Sequence, residues 1–225
     1  MKAETSIGAI LRWILYHVIA VPVLHLLSRI VFGLKIEGKE HLHHLWGAVL
    51  VCNHIHYLDS AMIAAAARGR HVTFATLNQN FDLPIAGWLL RQFGCVPVGK
   101  SLGEVRAFLN HAQVLLSKGE FVGIFPEGKL EEYCPRLQKF QRGAFLLAVR
   151  AGTPVVPMAL VQRPVEWYHQ FFHRRPFLTL RIAAPIFPPK EGTEKEKAFI
   201  LCWKAYEEMS VLIQDENPVP MMEEA

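Results

Sequence analysis

His54 and Asp59 stand five residues apart at the end of an apolar run, within Asn53-His54-Ile55-His56-Tyr57-Leu58-Asp59. A neutral imidazole accepts a hydroxyl proton near neutral pH, and a carboxylate on its other nitrogen fixes the tautomer and stabilises the imidazolium that forms. A second apolar run leads into Phe125-Pro126-Glu127-Gly128. No serine is marked out as a nucleophile, so these residue types point to deacylation or acyl transfer that uses a histidine and a carboxylate.

The pair can work only if the backbone turns between its members. In one continuous helix, residues five apart point roughly 140° away from each other. The spacing instead predicts a strand ending near Cys52, His54 on a connecting loop, and Asp59 near the N-terminus of a helix carrying the alanine-rich run Ala61 to Ala67. The plainer alternatives are an N-cap for Asp59 and a turn histidine for His54. The pair His54-x-His56, with His41, His43 and His44 upstream, also invites a metal reading, but no zinc-type spacing and no cysteine partner accompany them, so no metal is expected.

Further blocks follow in order: Leu83-Pro84-x-x-Gly87, Val96-Pro97-Val98-Gly99-Lys100, then Phe125 to Gly128, then Val155-Val156-Pro157-Met158. From Asn53 to Met158 this arrangement resembles the glycerolipid acyltransferases, the 1-acylglycerol-3-phosphate (lysophosphatidate) acyltransferase family. The resemblance implies that His54 is general base on an acceptor hydroxyl, that Asp59 orients it, and that the oxygen attacks an acyl thioester directly. The acyl donor is then acyl-CoA or acyl-carrier protein as co-substrate, with no cofactor. It also implies that Asn53, Phe125, Pro126, Glu127 and Gly128 help bind the acceptor. For Glu127, a solvated carboxylate at a strand end is the alternative, with Pro126 and Gly128 as turn punctuation.

The pattern departs from the family where the acceptor's phosphate is expected to bind. Gly128 is followed by Lys129-Leu130 rather than Thr-Arg, Lys100 stands where arginine is common, and Asn78 where lysine is common. Lysine keeps the charge and loses the bidentate fork. Lys100, Lys129, Lys139 and Arg142 are the candidate phosphate contacts, each with a solvated surface charge as the alternative. The expected acceptor is lysophosphatidate or another lysolipid, and the expected product is a phosphatidate-like phospholipid.

Two rival classes remain. Gly94 to Ser101 matches the phosphate-loop pattern G-x-x-x-x-G-K-[ST], and Gly123 to Leu130 matches it except at the last place. A phosphate loop aims successive backbone amides at its ligand, whereas Pro97 and Pro126 have no N–H, and Val96 and Val98 favour extended backbone. A nucleotide-binding protein is therefore disfavoured. A non-catalytic lipid-binding protein would use the same apolar and basic features and need neither His54 nor Asp59; the mixed aromatic and basic run Trp167 to Arg175 suits it.

The elements that must position these groups follow from composition and pattern. The chain has 225 residues, 52% hydrophobic and 20% charged, with a net charge of +4. That balance is greasy for a soluble globule and too polar for a multi-span membrane protein, and its positive sign favours an anionic membrane surface; no nucleic-acid motif accompanies it. Cys52, Cys95, Cys134 and Cys202 form no C-x-x-C pair, which suits a reducing compartment. Strand-length apolar runs at 47–51, 71–76, 121–125, 155–161 and 177–182, separated by helical patterns, predict an α/β fold with a mostly parallel central sheet flanked by helices. Helices are expected from Gly103 to about Gly119 and from Glu194 to Gln214.

Within the expected amino-terminal membrane-associating segment 1–32, the apolar stretch from Ile7 to Phe32 is interrupted by Arg12, His17, Pro22, His25 and Arg29, leaving 16 residues between the two arginines. A spanning helix wants about 20 apolar residues, so two short interfacial helices broken near Pro22 are expected rather than a span or a signal peptide. Residues 33–215 then form the acyltransferase domain and 216–225 a tail. The expected location is the cytoplasmic face of a membrane.

Overall fold

A computed structural model of the chain describes residues 14, 18, 21–67, 69–84, 87, 90, 95–99, 101–164 and 176–214. The element order is α1 (Val21–Phe32), β1 (Lys35–Glu37), a 3-10 turn (Lys39–Leu42), β2 (Ala48–Cys52), α2 (Asp59–Ala66), β3 (Val72–Leu77), a second 3-10 turn (Asn78–Asp82), β4 (Val96–Val98), α3 (Leu102–Ser117), β5 (Phe121–Ile124), α4 (Gly143–Ala151), β6 (Val155–Arg163), β7 (Phe177–Ile182) and α5 (Glu194–Ile213).

The strands form one sheet in the order β1-β7-β6-β2-β5-β3-β4. The pairs from β6 through β4 are parallel, and β7 runs antiparallel to β6 and parallel to β1. The α/β expectation with a mostly parallel sheet therefore holds. Strand β2 lies at its centre, and all five residues, Ala-Val-Leu-Val-Cys, are buried. Such a run has no polar alternation because both faces are covered. Its side chains alternate between two cores: Ala48, Leu50 and Cys52 join Met62, Phe74 and Phe121 beneath α1 and α2, while Val49 and Val51 join Phe108, Leu116, Phe145 and Leu201 beneath α3, α4 and α5. Truncating Leu50, fully buried, would cost about 2–5 kcal/mol.

Helix α3 starts where its chemistry dictates. The Ser101 side chain accepts from the Glu104 N–H while the Glu104 carboxylate accepts from the Ser101 N–H, a capping box that places the start just before Gly103. Strand β4 occupies the place of the first phosphate-loop match, which is extended chain as Val96 and Val98 require. Of the amino-terminal stretch, α1 is described and contains Pro22 in its first turn; the rest of the expected helical pair, Lys100, the Trp167–Arg175 run and the 216–225 tail lie outside the described residues. Among the described residues, no helix is long and apolar enough to cross a membrane.

Candidate active site

Parallel β2 and β5 are neighbours, with Val51 opposite Ile124, so the segments that follow them emerge side by side at one edge of the sheet. This brings Asn53 and His54 next to Phe125, Pro126 and Glu127. Crevices beyond the carboxyl ends of parallel strands are where α/β proteins place their chemistry.

His54 sits on the loop, as expected, and Asp59 is the first residue of α2. One oxygen of Asp59, Oδ2, accepts three hydrogen bonds: from His54 Nδ1 at 2.9 Å, from the Ile55 N–H at 2.8 Å and from the His56 N–H at 2.9 Å. Asp59 is wholly buried, while His54 keeps 24% of its side chain exposed. A carboxylate is an acceptor only, so Nδ1 carries the proton and Nε2 presents a lone pair. The N-cap alternative fails, because Leu58 is the cap residue and Asp59 bonds the amides that precede the helix rather than those within its first turn.

The ring is also held from one face. His54 stacks on Phe125 with centroids 4.0 Å apart and planes 12° from parallel, and Phe125 in turn stacks on Phe74 at 6.1 Å. Phe74 reaches this position across Gly123, where a Cβ would stand 2.1 Å from its ring. Gly123 is thus required for the close approach of β3 to β5.

Glu127 is 6% exposed, which excludes the solvated-carboxylate alternative. Its Oε2 accepts from the His54 N–H at 3.2 Å and its Oε1 from the Gln138 N–H at 3.1 Å. Burial pushes this carboxyl above the ordinary carboxylate range, and the Gln138 and His54 amides pull it back in part. The loop after Glu127 folds back along the His54 segment: the Glu131 N–H donates to the His54 carbonyl and the Tyr133 N–H to the Ile55 carbonyl, each at 3.0 Å. Gly128 makes the turn at φ +71°, and a Cβ there would meet Gln141 at 2.4 Å.

The other expected contacts are distributed differently. Asn53 is 1% exposed, and its amide both donates to the Leu160 carbonyl at 2.9 Å and accepts from the Leu160 N–H at 2.8 Å, tying β2 to β6. Pro126 is buried, with its carbonyl taken by the Gln141 N–H. Lys129 is exposed and pairs with Glu131, which raises its pKa. Lys139 and Arg142 are exposed further along the loop, just before α4. Asn78 donates to Glu104 at 3.0 Å. His56 is buried against Phe32 and Tyr133, and its Nδ1 accepts from the Leu58 N–H. Among the described residues, no group of three or more His, Cys, Asp or Glu is placed to hold a metal ion.

A family model described as Acyltransferase matches residues 33–161, from β1 into β6, and spans both signatures. The chain belongs to the acyltransferase family. Within the family it is 33% identical over 132 residues to the chloroplastic 1-acyl-sn-glycerol-3-phosphate acyltransferase LPAT1 of Arabidopsis thaliana, a match covering 58% of this chain and 36% of that protein. It is 32% identical over 114 residues to the chloroplastic 1-acyl-sn-glycerol-3-phosphate acyltransferase BAT2 of Brassica napus, covering 50% of this chain and 32% of that one. The chain spans about a third of the length of these two curated relatives. The crystal structure of the 1-acyl-sn-glycerophosphate (LPA) acyltransferase PlsC from Thermotoga maritima superposes with a TM-score of 0.61 at 18% identity, over 88% of this chain and 80% of that one, and so shares its fold. In this acyltransferase fold, the two signature segments are the ones that β2 and β5 deliver to one edge.

Proposed function

We propose that the protein transfers a fatty acyl chain from acyl-CoA or acyl-carrier protein to the free hydroxyl of a lysophospholipid, with 1-acylglycerol-3-phosphate as the leading acceptor and phosphatidate as product. The observation that carries this reading is the His54 Nδ1 to Asp59 Oδ2 hydrogen bond, which leaves Nε2 in a partly exposed position. The acceptor hydroxyl gives its proton to Nε2 as its oxygen attacks the thioester carbonyl. The tetrahedral intermediate then collapses, the C–S bond breaks, and the thiolate takes the proton back from the imidazolium. A thiolate leaves more readily than an alkoxide, so a separate covalent acyl-enzyme is not needed. Asp59 supports the transient positive charge with a carboxylate held in place by three donors.

For the acceptor's phosphate, Lys100, Lys129, Lys139 and Arg142 are the cations we assign. The membrane reading rests on α1, whose Val23, Leu26, Leu27, Ile30 and Val31 are all exposed apolar side chains. A helix with such a face lies in the headgroup region, holding the active-site edge against the cytoplasmic leaflet. The test is product analysis by mass spectrometry with oleoyl-CoA and a panel of acceptors. Phosphatidate formed from lysophosphatidate in preference to lysophosphatidylcholine and lysophosphatidylethanolamine supports the reading; transfer only to another lysolipid reassigns the acceptor; hydrolysis alone refutes transfer.

A further inference from the structure

A groove of about 610 Å³ lies between the carboxyl end of α2 and the β1 edge of the sheet, away from His54. It touches Ala65, Ala66 and Ala67 at the end of α2 and Phe121 at the start of β5. Asp59 opens α2, so at 1.5 Å per residue the groove begins about 10 Å along the helix from the catalytic carboxylate. The alanines create the space, since their side chains stop at Cβ.

Its lining is two-sided. Half-buried Ile36 and Ala66 supply apolar surface above a floor of buried Leu34, Leu42 and Phe121, and Arg29, Lys35, Lys39 and Arg70 supply positive charge. Glu37 lines it as well, and its carboxylate is shared with Arg181 at 3.3 Å. The Arg70 guanidinium is fixed by the Leu45 and Gly119 carbonyls, so part of the charge is immobile. A cavity that pairs apolar walls with a cationic rim suits an anionic amphiphile better than a free ion.

Helix α1 says where that amphiphile comes from. At 100° per residue, Val23, Leu26, Leu27, Ile30 and Val31 fall within about 140° of arc, and Arg29 falls about 60° beyond Leu26, on the way to buried Phe32. Arg29 therefore stands at the boundary between the exposed apolar face and the groove, where a cation meets headgroup phosphates when the face is in acyl chains.

We propose that this groove is a second lipid site, distinct from the acyl-transfer site, which takes the phosphate of an anionic membrane phospholipid between Arg29, Lys35 and Lys39. The proposal rests on the reading of α1 as a membrane-facing helix. The lipid is bound without being transformed and fixes the orientation in which the protein sits on the bilayer.

The test is sedimentation of the full chain with vesicles of phosphatidylcholine, alone or mixed with phosphatidylglycerol, at near-physiological salt. Wild type is expected to favour the anionic vesicles. Lys35→Glu combined with Lys39→Glu is expected to weaken that binding about tenfold or more while leaving phosphatidylcholine binding nearly unchanged. The charge-matched pair Lys195→Glu and Lys204→Glu, on exposed positions of α5, is expected to stay within about twofold of wild type. Ala66→Leu fills the groove without altering charge and is expected to reproduce the selective loss, with melting temperature confirming the fold. Equal losses in the two charge-reversed proteins would mean diffuse attraction and overturn the groove. Calorimetry with coenzyme A separates the phosphate sources: weakened coenzyme A binding in the Lys35/Lys39 variant, with vesicle binding intact, would assign the groove to the soluble donor and overturn the lipid site. Absence of binding to either vesicle would instead sink the membrane reading of α1, and the proposal with it.

Discussion

Glu127 accepts a hydrogen bond from the backbone N–H of His54 at 3.2 Å across 73 residues of sequence. Its other oxygen holds the Gln138 amide, so one buried carboxylate joins the His54 segment to the loop that follows β5. Replacing it by glutamine puts an NH₂ group against one of these two N–H donors. Glu127→Gln is expected to lower kcat for acyl transfer by about tenfold to a hundredfold, the equivalent of one lost charge-assisted hydrogen bond. Steady-state kinetics checks this; a kcat within twofold of wild type would show that Glu127 does not position His54.

The same carboxylate makes stability depend on pH in a defined direction. Burial raises its folded pKa above the unfolded value of 4.5. The protonated form is thus favoured on folding, and its contribution is fully present below pH 4.5 and lost as pH rises through the folded value. Glu127→Gln lacks this titration. The melting temperature of wild type minus that of the variant is expected to fall as pH rises through that window and then to level off. A difference that grows with pH over the same range would contradict the assignment.

Gly123→Ala drives a methyl group into the Phe74 ring, which backs Phe125 and, through it, His54. We expect a loss of about 1–3 kcal/mol in stability together with reduced kcat. Adding Phe74→Leu relieves the clash, so melting temperature is expected to recover while activity remains low, because the ring stack is gone. Recovery of both would show that the stack has no part in holding His54.

Asn53→Ala removes a side chain that satisfies both the N–H and the carbonyl of Leu160 in a buried setting. Leaving two buried polar groups unmet is expected to cost about 2–4 kcal/mol in urea unfolding. A cost under about 0.5 kcal/mol would mean that water takes the place of the amide.

The central strands were legible because a strand buried on both faces must be apolar throughout, as β2 is. Strand β1 was not legible: its three residues, Lys35 to Glu37, are at most half-buried and exist as a strand through pairing with β7, a contact more than 140 residues distant. Helix α4 was missed although Gly152 at φ +63° closes it in the ordinary way, and the Ser101-Leu102-Gly103-Glu104 capping box carried the start of α3 in plain view. The relative placement of His54 and Asp59 could be argued from spacing, since both lie on one turn. The contacts of Asn53 and Glu127 could not, because Leu160 and His54 reach them only through the parallel order of β2, β5 and β6, and Gln138 only through the return of the loop after β5. Nothing in the spacing distinguished a carboxylate facing solvent from one bonded to two backbone amides.

The most direct measurement is acceptor-dependent thiol release from oleoyl-CoA in liposomes, comparing wild type with His54→Ala and Asp59→Asn, each verified as folded by circular dichroism. Release stimulated by lysophosphatidate in wild type, and reduced at least about a hundredfold in His54→Ala with a smaller loss in Asp59→Asn, is expected of a general base oriented by a buried carboxylate. Stimulated release by His54→Ala within tenfold of wild type would contradict the account.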